Sequence, residues 1–298
     1  MIDLFAKTDF EPLYYDFAAC MDTLRRIPSS DSTQGEPIDF HMYWKLIRPF
    51  GRKQILPIKS FLATQPSHFK LTLWSNLDLT DNELLKPWLP HINFKIYKPH
   101  SEAKDTLLDH HPVVNVDDPM VYSGGDLFRA LILHKHGGVY VDMDSVFIRS
   151  FAPLFGQEFM YKWSFQKDMI SSAVMWLKQR SSLSEELLYG IIELPPGGTN
   201  WGCLNNMRAR QRHEFRVFPC AFFNPEWQIK LTPEDKAKLS LAAHTFEPFQ
   251  KHEYSDHMYW DSFIWHWHNR WEEPISTGCK YELLEAHVEH RIKEMGLP

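Results

Sequence analysis

The spacing of apolar residues in this chain changes period several times, and each change predicts an element. Between Phe10 and Ile27, the residues Leu13, Phe17, Cys20, Met21 and Leu24 recur at helical spacing and predict an amphipathic helix. Pro28 to Pro37 (PSSDSTQGEP) is a run of turn formers and predicts a linker. A strand then opens at Ile38 (IDFHMYW), followed by a helix from Gln54 to Thr64 and a second strand from Phe69 to Trp74. A helix near Asn82 to Trp88 and a short strand from Asn93 to Tyr97 come next. The stretch Ser123 to Ser150, SGGDLFRALILHKHGGVYVDMDSVFIRS, predicts a helix, a Gly137-Gly138 turn and a buried strand. Beyond it, Ile170 to Leu177 and Phe215 to Phe218 read as strands. Ser182 to Ile192 and Tyr281 to Met295 read as helices, and Pro195 to Asn200 (PPGGTN) as a loop. Strands alternating with helices predict an α/β fold built on a mostly parallel sheet flanked by helices. In such sheets ligands collect beyond the carboxyl ends of the strands, where Trp44, Trp74 and the pair Asp142/Asp144 would lie.

Composition narrows the function classes. With 298 residues, 44% of them hydrophobic, the chain can build one large domain or two modest ones. A net charge of −6 argues against a broad nucleic-acid surface, which needs a basic excess. The cysteines, Cys20, Cys203, Cys220 and Cys279, lie far apart with no Cys-x-x-Cys pair, so neither a zinc site nor a disulfide framework is expected. The N-terminal residues lack the charged and apolar regions of a signal peptide, and no apolar run reaches the ~18 residues of a membrane span. A soluble cytoplasmic protein is the expectation, with peripheral membrane contact and oligomeric state left open.

The candidate chemistry gathers after the Gly-Gly turn. Alternation along the strand puts Asp142 and Asp144 on one side and Met143 on the other. Paired carboxylates at that spacing can bind Mg²⁺ or Mn²⁺, hard cations that share their shell with substrate phosphates. A bare Asp-x-Asp arises by chance on the order of once in a chain of this length, so the pair alone carries little. Asp126 and Arg129 lie one turn apart on the preceding helix. Helix chemistry offers them plain roles, Ser123 and Asp126 as a capping box and Arg129 as an i,i+3 ion-pair partner. In WDSFIWHWHNRW, Trp260 to Trp271, His266 and His268 would share a face if the segment is extended, and either could complete a metal shell or touch a diphosphate. Aromatic core packing is the competing role. No Gly-x-Gly-x-x-Gly or Walker A sequence occurs, so dinucleotide and P-loop enzymes are unsupported.

Taken together, Gly125-Asp126, Arg129, Gly137-Gly138, Val139-Tyr140-Val141 and Asp142-Met143-Asp144 resemble the glycosyltransferases with a DXD sugar-binding region. That group includes initiating mannosyltransferases, α-1,4-galactosyltransferases and capsular polysaccharide enzymes. Weaker similarity lies in Ser60 to Thr64 with Leu73-Trp74-Ser75, in Phe218-Pro219 with Phe223 to Trp227, and in the His-rich segment ending at Trp271. The resemblance implies a GT-A fold with a nucleotide-sugar-binding half (38–150) and an acceptor-side half with a C-terminal helix (151–298). An N-terminal helix and linker (1–37) lie outside it. It implies Asp144 as a metal ligand, Asp142 at the metal or the ribose, His266 in the metal shell, and Asp126 and Arg129 on donor-sugar hydroxyls. Trp44 or Trp74 would stack on the base. The implied reaction is transfer from a nucleotide sugar, UDP-linked by preference, to a glycan or other hydroxyl acceptor with Mn²⁺ or Mg²⁺ and retention of configuration. Ser171-Ser172-Ala173-Val174-Met175 departs from the family, which often carries Asn before this apolar run.

Two alternatives use the same residues. VYVDMDSV, Val139 to Val146, also fits the strand of haloacid-dehalogenase-like phosphatases, in which the first aspartate attacks phosphate. That family needs a later acidic pair, and no convincing Gly-Asp-x-x-x-Asp follows here. A non-catalytic sugar-binding protein on the same fold is the other, and the full Asp126/Arg129/Asp142/Asp144 set weighs against it.

Overall fold

Strand β1 (Asp39–Trp44) is buried at every position except Asp39 and Tyr43. A strand covered on both faces belongs inside a sheet, and β1 lies between β2 (Lys70–Ser75) and β4 (Gly138–Val141), parallel to both. The computed structural model that shows this describes residues 3–28, 36–116, 122–163, 168–193, 201–225, 245–246 and 260–298. β3 (Asn93–Ile96) extends the parallel half beyond β2. On the other side β7 (Ile170–Leu177) runs antiparallel to β4. β6 (Phe159–Lys162) is antiparallel to β7, and β8 (Arg216–Phe218) is parallel to β6. The seven-stranded order is thus β3-β2-β1-β4-β7-β6-β8. A separate antiparallel pair joins β5 (Ser145–Phe147) to β9 (Ile264–His266).

Seven α-helices are described: α1 (Phe17–Arg26), α2 (Arg52–Thr64), α3 (Pro99–Ala103), α4 (Tyr122–His136), α5 (Ser182–Glu193), α6 (Trp201–Arg210) and α7 (Lys280–Glu294). Strand alternation sorts side chains onto two faces. Val139 and Val141 join the apolar cluster of Phe40, Met42 and Phe61 on α2. Tyr140, between them, joins the cluster of Leu127, Phe128 and Leu131 on α4 and Leu187 on α5. Helices therefore cover both faces, as expected. The C-terminal helix docks on α2 through Tyr281, whose hydroxyl donates to the Arg52 carbonyl (2.8 Å), and through ion pairs of Arg52 with Glu285 and Lys59 with Glu289.

The Gly137-Gly138 turn is required by geometry. Both residues have positive φ, +69° and +95°, and a Cβ at Gly138 would overlap the Asp39 carbonyl oxygen. A buried network supports this turn from below. Trp74 Nε1 donates to His41 Nδ1 (3.2 Å), which leaves the ring proton on Nε2, facing the Gly137 carbonyl at 3.0 Å.

Several expected boundaries move. The helix predicted from Phe10 begins only at Phe17, because Asp16 caps it by accepting from the Ala19 N–H (2.9 Å), and Pro12–Tyr14 form a separate 3₁₀ turn. The helix predicted at Asn82 to Trp88 is instead a 3₁₀ segment, Lys86–His91, with prolines at 87 and 90 that cannot donate to an α-helical ladder. The predicted loop Pro195 to Asn200 lies outside the described residues. Strands β5 and β6 and helix α6 were not expected.

Candidate active site

The strand order places the site. β1 is followed in sequence by β2 on one side and flanked by β4 on the other, so a crevice opens between the carboxyl ends of β1 and β4. A cavity of about 450 Å³ lies there, walled by Tyr43 and Trp44 at the end of β1, by Lys45 and Arg48 after it, and by Asp142 and Asp144 after β4. Asp142, Asp144, Asp126, Arg129, Trp44, His266 and His268 all line it.

The short β5–β9 pair brings His266 to the aspartates. Ser145 is registered opposite His266, and the Trp267 N–H donates to the Asp144 carbonyl (3.0 Å). The segment does not stay extended: His268 and Asn269 have φ of +54° and +59°, two successive residues in the left-handed region. Such backbone is unfavourable for non-glycine residues and persists only where the surroundings enforce it. Here it turns the Asn269 N–H onto Asp144 Oδ2. The two imidazoles still lie together, with ring centroids 4.1 Å apart, and His268 Nε2 pairs with Asn224 Oδ1 at 2.8 Å.

Each carboxylate of the pair has one oxygen pinned by the protein and one turned toward a common point. Asp142 Oδ1 accepts from the Tyr140 hydroxyl (2.6 Å) and lies 3.3 Å from Arg129 Nη2. Its Oδ2 is 4.0 Å from His266 Nε2. Asp144 uses Oδ2 for the Asn269 N–H, while its Oδ1 is 2.9 Å from His266 Nε2. Ligand atoms of Asp142, Asp144 and His266 all fall within 4.8 Å of one another. Burial raises the Asp142 pKa above the usual carboxylate range; the Arg129 charge offsets this only in part, and Asp144 adds to it. Burial also opposes ionisation of Asp144, but the His266 imidazole and the Asn269 N–H hold its pKa below the ordinary value. A half-buried and a buried carboxylate converging with one imidazole fit a hard divalent cation, whose charge satisfies the electrostatic demand of the cluster.

Ser123 is not the expected N-cap, whereas Arg129 does make the expected i,i+3 ion pair with Asp126. The helix already begins at Tyr122, and the Asp126 carboxylate accepts from the Gly202 N–H (2.7 Å) at the start of α6 and bonds Ser172 Oγ (3.3 Å). Asp126 therefore supplies the N-terminal cap of a different helix. Arg129 donates from Nη1 to Ser172 Oγ (2.7 Å), pairs with Asp126 (3.5 Å) and Asp142 (3.3 Å), and lies over the Tyr140 ring at 4.7 Å. Burial weakens its charge, yet the facing carboxylates more than offset this and raise its pKa. Ser172 thus occupies a central place in this network.

Trp44 is in the wall, packed edge-on against Trp271 at 4.8 Å. Trp74 is a correction: it does not line the cavity but is 2% exposed, packed on Phe128 with its N–H spent on His41. Its position at the second strand suggested the rim, whereas its side chain faces the α4 layer. Tyr140, Ser172, Asn224 and Asn269 were given no site role from the sequence. Tyr140 had a signal, since i,i+2 alternation puts it beside Asp142; Ser172 and Asn224 lie in stretches noted only for their likeness to or departure from the family, and Asn269 had no signal of its own.

The description "Glycosyltransferase sugar-binding region containing DXD motif" matches residues 101–161. No curated protein matches the chain significantly. Among solved structures, the glycosyltransferase GlyE of Streptococcus pneumoniae TIGR4 is similar at a TM-score of 0.50 and 11% identity, over 87% of this chain and 63% of its own. This chain therefore spans less than two thirds of GlyE. A structure described as PaToxG glycosyltransferase superposes at 0.45 with 15% identity, over 65% of this chain and 74% of its own. The galactosyltransferase LgtC superposes at 0.45 with 12% identity, over 86% and 96%. The GlyE likeness bears on the fold, and the matched region covers the helix, turn and aspartate pair on which the site is built. The chain thus carries a stretch, residues 101–161, that matches the DXD-containing sugar-binding region of glycosyltransferases, set into an α/β fold similar to that of GlyE.

Proposed function

We propose that the protein transfers a sugar from a nucleotide-sugar donor, UDP-linked by preference, to a hydroxyl of a glycan acceptor with retention of configuration. One observation carries this reading: Asp142 Oδ2, Asp144 Oδ1 and His266 Nε2 converge in an open cavity at the strand ends, their remaining oxygens held by Tyr140, Arg129 and Asn269. These residues would hold Mn²⁺ or Mg²⁺, and the cation supplies Lewis-acid stabilisation of charge on the departing diphosphate. Lys45 and Arg48 on the same wall provide positive charge for the phosphates, and Trp44 an aromatic face for the base. Asp126 and Arg129, which line the same cavity, would meet donor-sugar hydroxyls. Among the described residues lining the cavity, the carboxylates are Asp126, Asp142 and Asp144, each already engaged. With no spare carboxylate to act as a base on the acceptor, the geometry favours departure and attack on the same face of the sugar.

Further observations bear on the setting. All four cysteines are buried and none is joined in a disulfide, which fits a reducing compartment such as the cytoplasm. Among the described residues, no helix is long and apolar enough to cross a membrane.

The test is release of nucleoside diphosphate from a panel of UDP- and GDP-sugars with Mn²⁺ or Mg²⁺. UDP release that needs the metal and falls roughly 10²- to 10³-fold in Asp144→Asn is the expected result. Hydrolysis of phosphomonoesters, with every nucleotide sugar left intact, would transfer the assignment to a phosphatase.

A further inference from the structure

A second cavity, of about 650 Å³, lies apart from the donor site. Consecutive strand residues point to opposite sides of a sheet, and β6 uses both: Tyr161 lines the donor cavity, while Lys162 lines the second. The N-terminal segment, which lies outside the glycosyltransferase resemblance, forms one wall of this second cavity with Phe10, Tyr14 and Tyr15. It is fastened there, since the Tyr14 hydroxyl donates to the Val217 carbonyl (2.7 Å) and Asp3 pairs with Arg216 (2.8 Å).

Two buried cations stand in this wall. Lys162 is 4% exposed and Arg216 is 7% exposed. The Lys162 ammonium lies 3.8 Å from the centroid of the Tyr15 ring, and its carboxylate partner is Asp168, 3.1 Å away with a side chain 82% exposed. A single solvated carboxylate is a weak counter-ion for a buried ammonium that has three protons to donate. Arg216 spends Nη2 on Asp3, while its Nη1 is buried without a hydrogen-bond partner among the described residues. A buried donor left unmatched is expensive and points to a missing acceptor. The rest of the lining limits what that acceptor is. Lys162, Arg210 and Arg216 face Asp9, Glu11 and Asp168, so the cavity as a whole is balanced in charge and offers a polyanion no net attraction. Aromatic faces suit the C–H faces of sugar rings, and the polar rim suits hydroxyls.

We infer that the second cavity is a saccharide subsite selective for a sugar carrying one carboxylate, with Lys162 and Arg216 receiving that group and Tyr15 stacking on the ring. Resting on the glycosyltransferase reading, this makes the acceptor an acidic glycan gripped away from the hydroxyl that is modified. The first experiment is calorimetric titration of the full chain with glucuronosyl-xylotriose, a tetrasaccharide carrying one carboxylate, and with neutral xylotetraose, beside a titration with UDP and Mn²⁺. Binding of the acidic tetrasaccharide alone, weakened roughly tenfold or more in Tyr15→Ala and in Lys162→Met, is the expected result. Tyr15 is exposed, so its truncation keeps the test valid should Lys162→Met fail to fold. Equal affinity for the two tetrasaccharides, no binding of either, or unchanged affinity in Tyr15→Ala would overturn the subsite. UDP and Mn²⁺ binding with no saccharide response would remove this inference alone. Saccharide binding without any nucleotide response would instead remove the donor assignment.

Discussion

At the scale of single residues, the partners of each side chain separate the roles of the two aspartates and of the two histidines at the site. Asp142 and Asp144 look equivalent in the sequence, yet one is tied to Tyr140 and Arg129 and the other to Asn269. The same difference separates the two histidines. His266 Nε2 faces Asp144 Oδ1, whereas His268 Nε2 is committed to Asn224. His266→Ala should therefore weaken Mn²⁺ activation by roughly a hundredfold and His268→Ala by far less; the reverse order in a metal titration of turnover would make His268 the ligand. His41 carries a separate expectation. Burial lowers its pKa from 6.5 to about 4, and both ring nitrogens are already engaged, Nδ1 as the acceptor of the Trp74 N–H. The unfolded chain then binds the extra proton more readily between these two values, so stability is full above pH 6.5 and is lost as pH falls toward 4. Urea unfolding should show about 2 kcal/mol less stability at pH 5 than at pH 7 from this group. That part of the loss should be missing in His41→Gln, and an unchanged slope would assign the acid sensitivity elsewhere.

At the scale of elements, the alternating apolar pattern located β1, β2, β4 and β7 and helices α2, α4, α5 and α7 to within a few residues, because each buries a continuous face. What escaped were elements whose reason to exist is distant. β5 has only Ser145, Val146 and Phe147 and is held by β9, more than a hundred positions later, and by Ser60 on α2, whose hydroxyl accepts the Phe147 N–H (2.9 Å). α6 lacks a clear apolar stripe, and its first turn is fastened by Asp126 from α4. That contact makes a specific prediction. A Cβ at Gly202 would overlap Asp126 Oδ1 and crowd Ser172 Oγ. Gly202→Ala should destabilise the protein by about 1–3 kcal/mol through overpacking and reduce donor turnover together, since it displaces the partner of Arg129. Full turnover with a lowered melting temperature would show that Asp126 serves α6 and not the donor.

At the scale of the whole molecule, one sheet with a switch between β1 and β4 decides where the chemistry sits. The sequence placed Asp142, Asp144, Asp126, Arg129, Trp44 and His266 at one site, and the cavity brings these together; Trp74 faces the other way because the alternation of β2 sends it into the α4 layer. The second cavity was not visible in the sequence, since it is assembled from the N-terminal segment, β6 and β8, three segments with no shared motif. The central claim is that the chain holds one divalent cation at Asp142, Asp144 and His266 beside a nucleoside diphosphate. The most direct measurement is Mn²⁺ binding by electron paramagnetic resonance, with UDP present, in the parent protein and in Asp144→Asn. One Mn²⁺ per chain in the parent, with binding lost in a variant of unchanged melting temperature, is the predicted result. Equal Mn²⁺ binding by both proteins, or none by either, would contradict it.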